Sequence, residues 1–282
     1  MLDAISAETL KLTRHKASWF LVWLYPVGVA IVFLLAIAAA LMVPHRPEHE
    51  TLAAWIAGTT IVWSLPANTL VRYLIAAFVA VAFAGEYGWN TWKLIVPHRS
   101  RIVLIAAKYV VVTALLAVAF LASAVLATLG SWIRDVASGD AVPAGIGAGV
   151  LLRAHGSAAV AALAPGLVTI GYASLAGVLT RSTIAALVVS LVAVSVEQIL
   201  FGLTPILYLK APGLVGILYH VLPGYHLANL DHWIRIGSPL ETPLPGAGVV
   251  ALRWTLSLAA VAAWIAGLVA LTVASFRRQD IN

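Results

Sequence analysis

Residues 83–101 read Phe83-Ala84-Gly85-Glu86-Tyr87-Gly88-Trp89-Asn90-Thr91-Trp92-Lys93-Leu94-Ile95-Val96-Pro97-His98-Arg99-Ser100-Arg101, a polar interlude between two long apolar runs. Glu86, Lys93, Arg99 and Arg101 fall within a few helical turns, although only 10% of the 282 residues are charged. Crossing about 30 Å of hydrocarbon takes about 20 apolar residues in a helix. Runs of that kind flank the interlude and recur along the chain: Trp19–Val43, Leu70–Gly85, Ile102–Leu129, Ala158–Leu179, Thr183–Leu207 and Val250–Phe276. Hydrophobic residues make up 62% of the chain and the mean hydropathy is +1.00. Soluble domains sit near half apolar and a quarter charged. The expected fold is therefore an all-α integral membrane protein with six transmembrane helices. Only helices or closed barrels satisfy backbone polar groups in lipid, and these runs are too long for barrel strands.

Leu52–Leu65 is also apolar, and Pro66 and Asn68 interrupt it before the second span. Residues 52–84 form either one long kinked helix or a short outer helix followed by a span; the kinked helix is the favoured reading. No polar stretch is long enough for a separate domain, so residues 1–282 read as one six-span domain. The chain has no cysteine, which excludes disulfides, thiolate metal sites and cysteine nucleophiles. Met1–Glu8 lacks a basic n-region, so no cleaved signal peptide is expected.

Six spans put both termini on one side. Lys11, Arg14, Lys16, Lys93, Arg99, Arg101, Lys108, Arg181, Arg277 and Arg278 then share that side, and the positive-inside rule makes it cytoplasmic. The same rule accounts for the pI near 9.8 without nucleic acid, and no basic groove is present in the sequence. Residues 1–17 carry Glu8, Lys11, Arg14 and Lys16 among Leu2, Ile5, Leu10 and Leu12. They suit an amphipathic helix in the membrane interface. The plainer alternative is a disordered basic flank that only sets topology.

The 86–101 segment has helix-forming residues from Thr91 to Val96 and a stop at Pro97, because the residue before a proline disfavours helical geometry. Trp89 and Trp92 add aromatic anchors. A short helix held between two spans fits a cleft on a soluble partner, whereas a featureless solvated loop needs none of these residues. Two charges lie inside spans. Arg72 is about 21 Å above Glu86, and Glu197 about 24 Å above Arg181, so they sit at similar depth. A charge at span centre costs roughly 2.5–3.5 kcal/mol on insertion scales. Arg72 and Glu197 either line one polar pocket as a pair or snorkel separately.

Other chemistry finds little support. His226-x5-His232 with Asp231 does not place two rings on one helical face, and His45 and His49 flank Arg46 and Pro47 in a loop. No Ser/His/Asp order, H-E-x-x-H or phosphate loop is present. No metal, catalytic or cofactor site is expected in this chain. Gly166, Gly171 and Gly177 allow close helix approach, expected here to help two chains pack together.

Glu86, Thr91, Lys93, Leu94, Pro97, Ser100, Arg101 and Lys108 together resemble the permease subunits of ABC-2-type exporters, with Pro97 and Ser100 one residue further apart than in that pattern. The opening Glu8, Lys11, Leu12 and Arg14, and the ending from Phe276 to Asp280, are similar to that family's termini. The resemblance implies an elbow helix over 1–17, a coupling segment over 86–101, and re-entrant outer helices over 208–249. It implies a separate ABC ATPase subunit that binds ATP and Mg, contacted by Glu86, Thr91, Trp92, Lys93, Pro97, Arg99 and Arg101. It also implies a second permease chain, expected as a homodimer, in the lipid of a bacterial cytoplasmic membrane. A six-span assembly or immunity protein without a motor is the alternative.

Overall fold

Helix α4 (Thr69–Gly88) is the most enclosed of the long helices, with Ile75, Ala76, Phe78, Val79, Ala80, Ala82, Phe83 and Ala84 buried around it. The structure is a computed structural model describing residues 1–42, 50–88, 91–244 and 248–280. His45, Arg46, His49 and Trp89 lie outside the described residues. Among the described residues six helices are long and apolar enough to cross a membrane: α2 (Lys16–Met42), α4, α6 (Arg101–Ser138), α7 (Ala148–Thr180), α8 (Thr183–Tyr208) and α11 (Trp254–Arg278). Before them lies α1 (Leu2–Arg14). Between α2 and α4 comes α3 (Leu52–Thr60), and the four-residue α5 (Trp92–Ile95) precedes α6. Helices α9 (Pro212–Val221) and α10 (Pro223–Ile236) fill the interval before α11.

The all-helical expectation gains one small exception, an antiparallel ribbon of β1 (Thr242–Leu244) and β2 (Gly248–Val250) outside the spans. With six spans, α1, the 86–101 segment, the α7–α8 turn and the end of α11 share one end, called here the termini face.

The long kinked helix over 52–84 is replaced by a break. After α3 the chain tightens into a 3₁₀ segment, Ile61–Ala67, and Asn68 is extended at φ −70°, ψ 133°. The Asn68 side-chain oxygen accepts from the backbone N–H of Leu70 (3.0 Å) and Val71 (3.4 Å). That cap starts α4 as a new helix, which competes with continuation through Pro66.

Helices α6 and α7 outrun their predicted spans. Thirty-eight residues at 1.5 Å each make α6 about 57 Å long, well past the hydrocarbon thickness. Its extension is held by Asp135, which accepts from Trp55 Nε1 of α3 at 2.8 Å and pairs with Arg134 at 2.6 Å. Gly139 then ends it in the left-handed region at φ 76°.

Lipid tails are as apolar as leucine, so these helices associate through close packing more than through hydrophobic drive. Two of the three glycines singled out in the sequence make close approaches within the chain. A Cβ on Gly171 would meet Leu268 of α11 at 2.8 Å, and one on Gly177 would meet Phe83 of α4 at 3.1 Å. Gly166 has open space instead.

Candidate functional site

Among the polar groups that interrupt the apolar packing, one cluster lies at the termini face and another deep between spans. The first forms around Lys108, which is 2% exposed. An ammonium carries three N–H donors and no acceptor. Lys108 Nζ uses them on Glu8 Oε1 (2.9 Å), Glu86 Oε1 (3.0 Å) and the Ala82 carbonyl (2.7 Å). Lys11 pairs with Glu8 (2.6 Å) and also with Glu86. Burial alone would lower the Lys11 pKa; the carboxylates of Glu8 and Glu86 outweigh it and hold it above the ordinary lysine value. Thr91 donates to the second Glu86 oxygen, and its N–H reaches the Glu86 carbonyl at 3.1 Å. The cluster therefore ties α1, α4, α5 and α6 together.

Aromatic contacts extend the same joint to α11. Trp92 lies 5.1 Å from Lys108 Nζ and 4.5 Å from the Phe276 ring, a distance suited to offset packing. Arg101 Nη1 reaches the carbonyls of Phe276 (3.0 Å), Arg277 (2.8 Å) and Gln279 (2.6 Å), a cation at the negative end of α11. Gln279 in turn donates to the Val178 carbonyl at 2.6 Å.

The residues expected at a partner contact divide into two sets. Glu86 and Trp92 are buried and Thr91 is half-buried, all turned toward the chain's own helices. Lys93, Leu94, Pro97 and Arg99 are exposed, Leu94 to 71%. Arg101 faces the α11 terminus. The α-helix stops at Ile95, yet Val96 keeps helical geometry and a 3₁₀ turn runs through Pro97 to His98. Pro97 thus tightens the helix before ending it. The Glu8-x-x-Lys11 spacing offers an intrahelical pair but gives no signal of the partners across the bundle.

The second cluster joins Arg72 and Glu197, whose side chains are both buried. The guanidinium meets the carboxylate through Nη1 and, at 3.2 Å, through Nη2, and its Nε donates to Thr169 Oγ1 at 2.8 Å. Tyr172 donates to Glu197 Oε2 at 2.9 Å. A two-point fork with further hydrogen bonds is the arrangement that offsets the cost of burying both charges. Nearby, α10 closes over α8 at Gly224, where a Cβ would lie 3.3 Å from the Glu197 carbonyl.

His226, Asp231 and His232 are each turned to separate partners. His226 meets Ser257 Oγ (3.1 Å) and the His220 carbonyl (2.9 Å), His232 meets the Ser238 carbonyl (2.8 Å), and Asp231 pairs with Arg235 (2.7 Å). Among the described residues no three histidine or acidic side chains gather as a metal-binding group.

A polytopic helical membrane protein with a short helix wired into its termini face is the class this architecture defines. A family model described as ABC-2 family transporter protein matches residues 4–197, more than half of the chain, from α1 into α8. The chain belongs to that family. No curated protein matches it.

Proposed function

We propose that the chain is the permease subunit of an ABC-2-type exporter, moving a substrate across a bacterial cytoplasmic membrane while a separate ATPase subunit binds and hydrolyses ATP with Mg. In this reading both termini are cytoplasmic, two copies form the transport unit, and the 86–101 segment is the coupling element. The observation that carries it is the division of that segment. Glu86, Thr91 and Trp92 fasten α5 to α1, α4, α6 and α11, and Lys93, Leu94, Pro97 and Arg99 stand outside. A push on the exposed face of so short a helix is passed to the spans because its inner face is hydrogen-bonded and packed. Glu86 and Trp92 act in this scheme as positioning residues, and the contact falls to the exposed set.

The test is co-purification with the cognate ATPase and measurement of its hydrolysis in the reconstituted complex. Leu94→Arg or Lys93→Glu should weaken association about tenfold, a loss of about 1.4 kcal/mol, without lowering the melting temperature of the permease. Association and hydrolysis indifferent to both changes would overturn the coupling role of this face, and no association of the parent chain with the ATPase would favour a six-span protein that works without a motor.

A further inference from the structure

A helix leaves its last four carbonyls without backbone partners of its own. At the termini face, two helix ends are closed by side chains from elsewhere in the bundle. Arg101, at the start of α6, covers the end of α11. The end of α7 is closed by Gln279, the first residue past α11. Arg181 turns the chain off α7 at φ 54°, with its N–H on the Gly177 carbonyl at 3.1 Å. The next carbonyl, that of Val178, receives Gln279 Nε2 at 2.6 Å. The other side of the same amide faces α4, where the Tyr87 hydroxyl donates to Gln279 Oε1 at 2.5 Å. Chemistry fixes this orientation. A carbonyl only accepts, so the amide NH₂ must face Val178 and its oxygen the phenol.

Gln279 therefore brings in α7, which the Lys108 cluster does not reach. Trp92 of α5 stands beside this bridge. Its ring lies 5.9 Å from that of Tyr87 and 4.5 Å from that of Phe276. Both rings lead to the Gln279 amide: Tyr87 through its hydroxyl, Phe276 through the turn in which its carbonyl accepts the Gln279 N–H at 3.3 Å. Helix α7 also packs directly on α4, where Gly177 admits Phe83. That apolar contact sets the spacing of the two helices but is non-directional. A hydrogen bond on each side of the Gln279 amide is directional and sets their register. From its end, α7 turns straight into α8 and packs along it.

We infer that Gln279 is a positioning residue of the coupling joint, holding the end of α7 in register with α4 and α11 so that a displacement of α5 reaches the α7–α8 turn. The pin is a property of the single chain; its part in coupling rests on the exporter reading.

The test has two arms. The first takes the full-length chain alone in phosphatidylcholine nanodiscs and reads amide hydrogen exchange by mass spectrometry. Gln279→Ala removes both side-chain bonds. Gln279→Glu keeps the size and the acceptor toward Tyr87 and loses the donor toward Val178. Each should speed exchange over residues 178–183 roughly three- to tenfold, the weight of one hydrogen bond. Exchange over residues 223–236, at the opposite face, and the melting temperature should stay as in the parent. Parental exchange over 178–183 in both variants would overturn the pin. The second arm adds the cognate ATPase and a bimane fluorophore on Ile184→Cys, an exposed position in the first turn of α8. ATP should shift the bimane emission, and Gln279→Glu should remove most of that shift while the ATPase stays bound. An undiminished shift in Gln279→Glu, or no shift in the labelled parent with the ATPase bound, would overturn the relay and leave the exporter reading standing. Loss of the ATPase from Gln279→Glu would overturn the positioning role, making Gln279 part of the contact itself. A parent chain that never binds the ATPase would overturn the exporter reading and the relay with it, and exchange over 178–183 would still decide the pin.

Discussion

Lys108 directs its three ammonium hydrogens at Glu8, Glu86 and the Ala82 carbonyl, so its charge serves two helices besides its own. Removing one partner of a buried ion pair typically costs about 3–5 kcal/mol, because the other charges stay buried. Lys108→Met should therefore lower the apparent melting temperature of the purified protein sharply. Adding Glu86→Gln should recover part of the loss, since a neutral amide needs no counter-charge. A Lys108→Met protein that melts like the parent would show that the cluster contributes nothing to stability. His226 offers a second test at this scale. Its Nε2–H donates to the His220 carbonyl, so Nδ1 accepts from the Ser257 hydroxyl, which itself accepts from Asn229 at 2.8 Å. Burial holds its pKa below the ordinary histidine value, a hydrogen bond to the His220 carbonyl partly opposes this, and His220 adds to it. With the folded pKa below the unfolded value of about 6.5, stability is full above pH 6.5 and falls as the pH drops toward the folded pKa. Thermal unfolding at pH 7.5 and 5.5 should show that drop, and His226→Gln should shrink it.

At the scale of elements, the contact of α2 with α6 turns on Gly130. A Cβ there would lie 2.4 Å from Phe33 Cγ and 2.8 Å from Phe33 Cβ, and the second distance does not change when the ring rotates. Gly130→Ala should destabilise by about 1–3 kcal/mol through overpacking. Phe33→Ala combined with it should offset most of that, and a double-mutant cycle measures the coupling; strictly additive effects would disprove the clash. Such crossings were not legible in the sequence, because nothing local marks which helix a glycine meets. The six spans were legible, since apolar length alone separates them from loops. The break at Asn68 was legible in part: an asparagine ahead of an apolar run is a cap signal, and it outweighs the kink suggested by Pro66. The extensions of α6 and α7 were hidden, because Arg134 and Asp135 look like loop residues until Trp55, 80 positions away, supplies a hydrogen bond. The depth of Arg72 and Glu197 brought them to one level, but Thr169 and Tyr172, their hydrogen-bond partners on α7, carried no signal of their own. For the 86–101 segment, the sequence marked the charged residues and could not separate those facing inward from those facing out.

Across the whole molecule, basic residues gather at the termini face: Lys11, Arg14, Lys16, Lys93, Arg99, Arg101, Arg277 and Arg278. On the proposed reading the positive-inside rule puts that face in the cytoplasm, within reach of an ATPase at α5. The absence of cysteine makes the assignment testable without background labelling. Arg99 pairs with exposed Asp3, and Arg235 pairs with Asp231 at the opposite face, both in partly exposed settings. Exposed pairs contribute about 0–1 kcal/mol, so either arginine can be replaced without harm to the fold. A membrane-impermeant maleimide applied to intact cells should label the Arg235→Cys protein and spare the Arg99→Cys protein until the membrane is opened. Labelling of both on intact cells would break the six-span alternation. Labelling of the Arg99→Cys protein alone would invert the chain, placing Lys93 and Leu94 outside and removing any route by which a cytoplasmic ATPase could move the bundle.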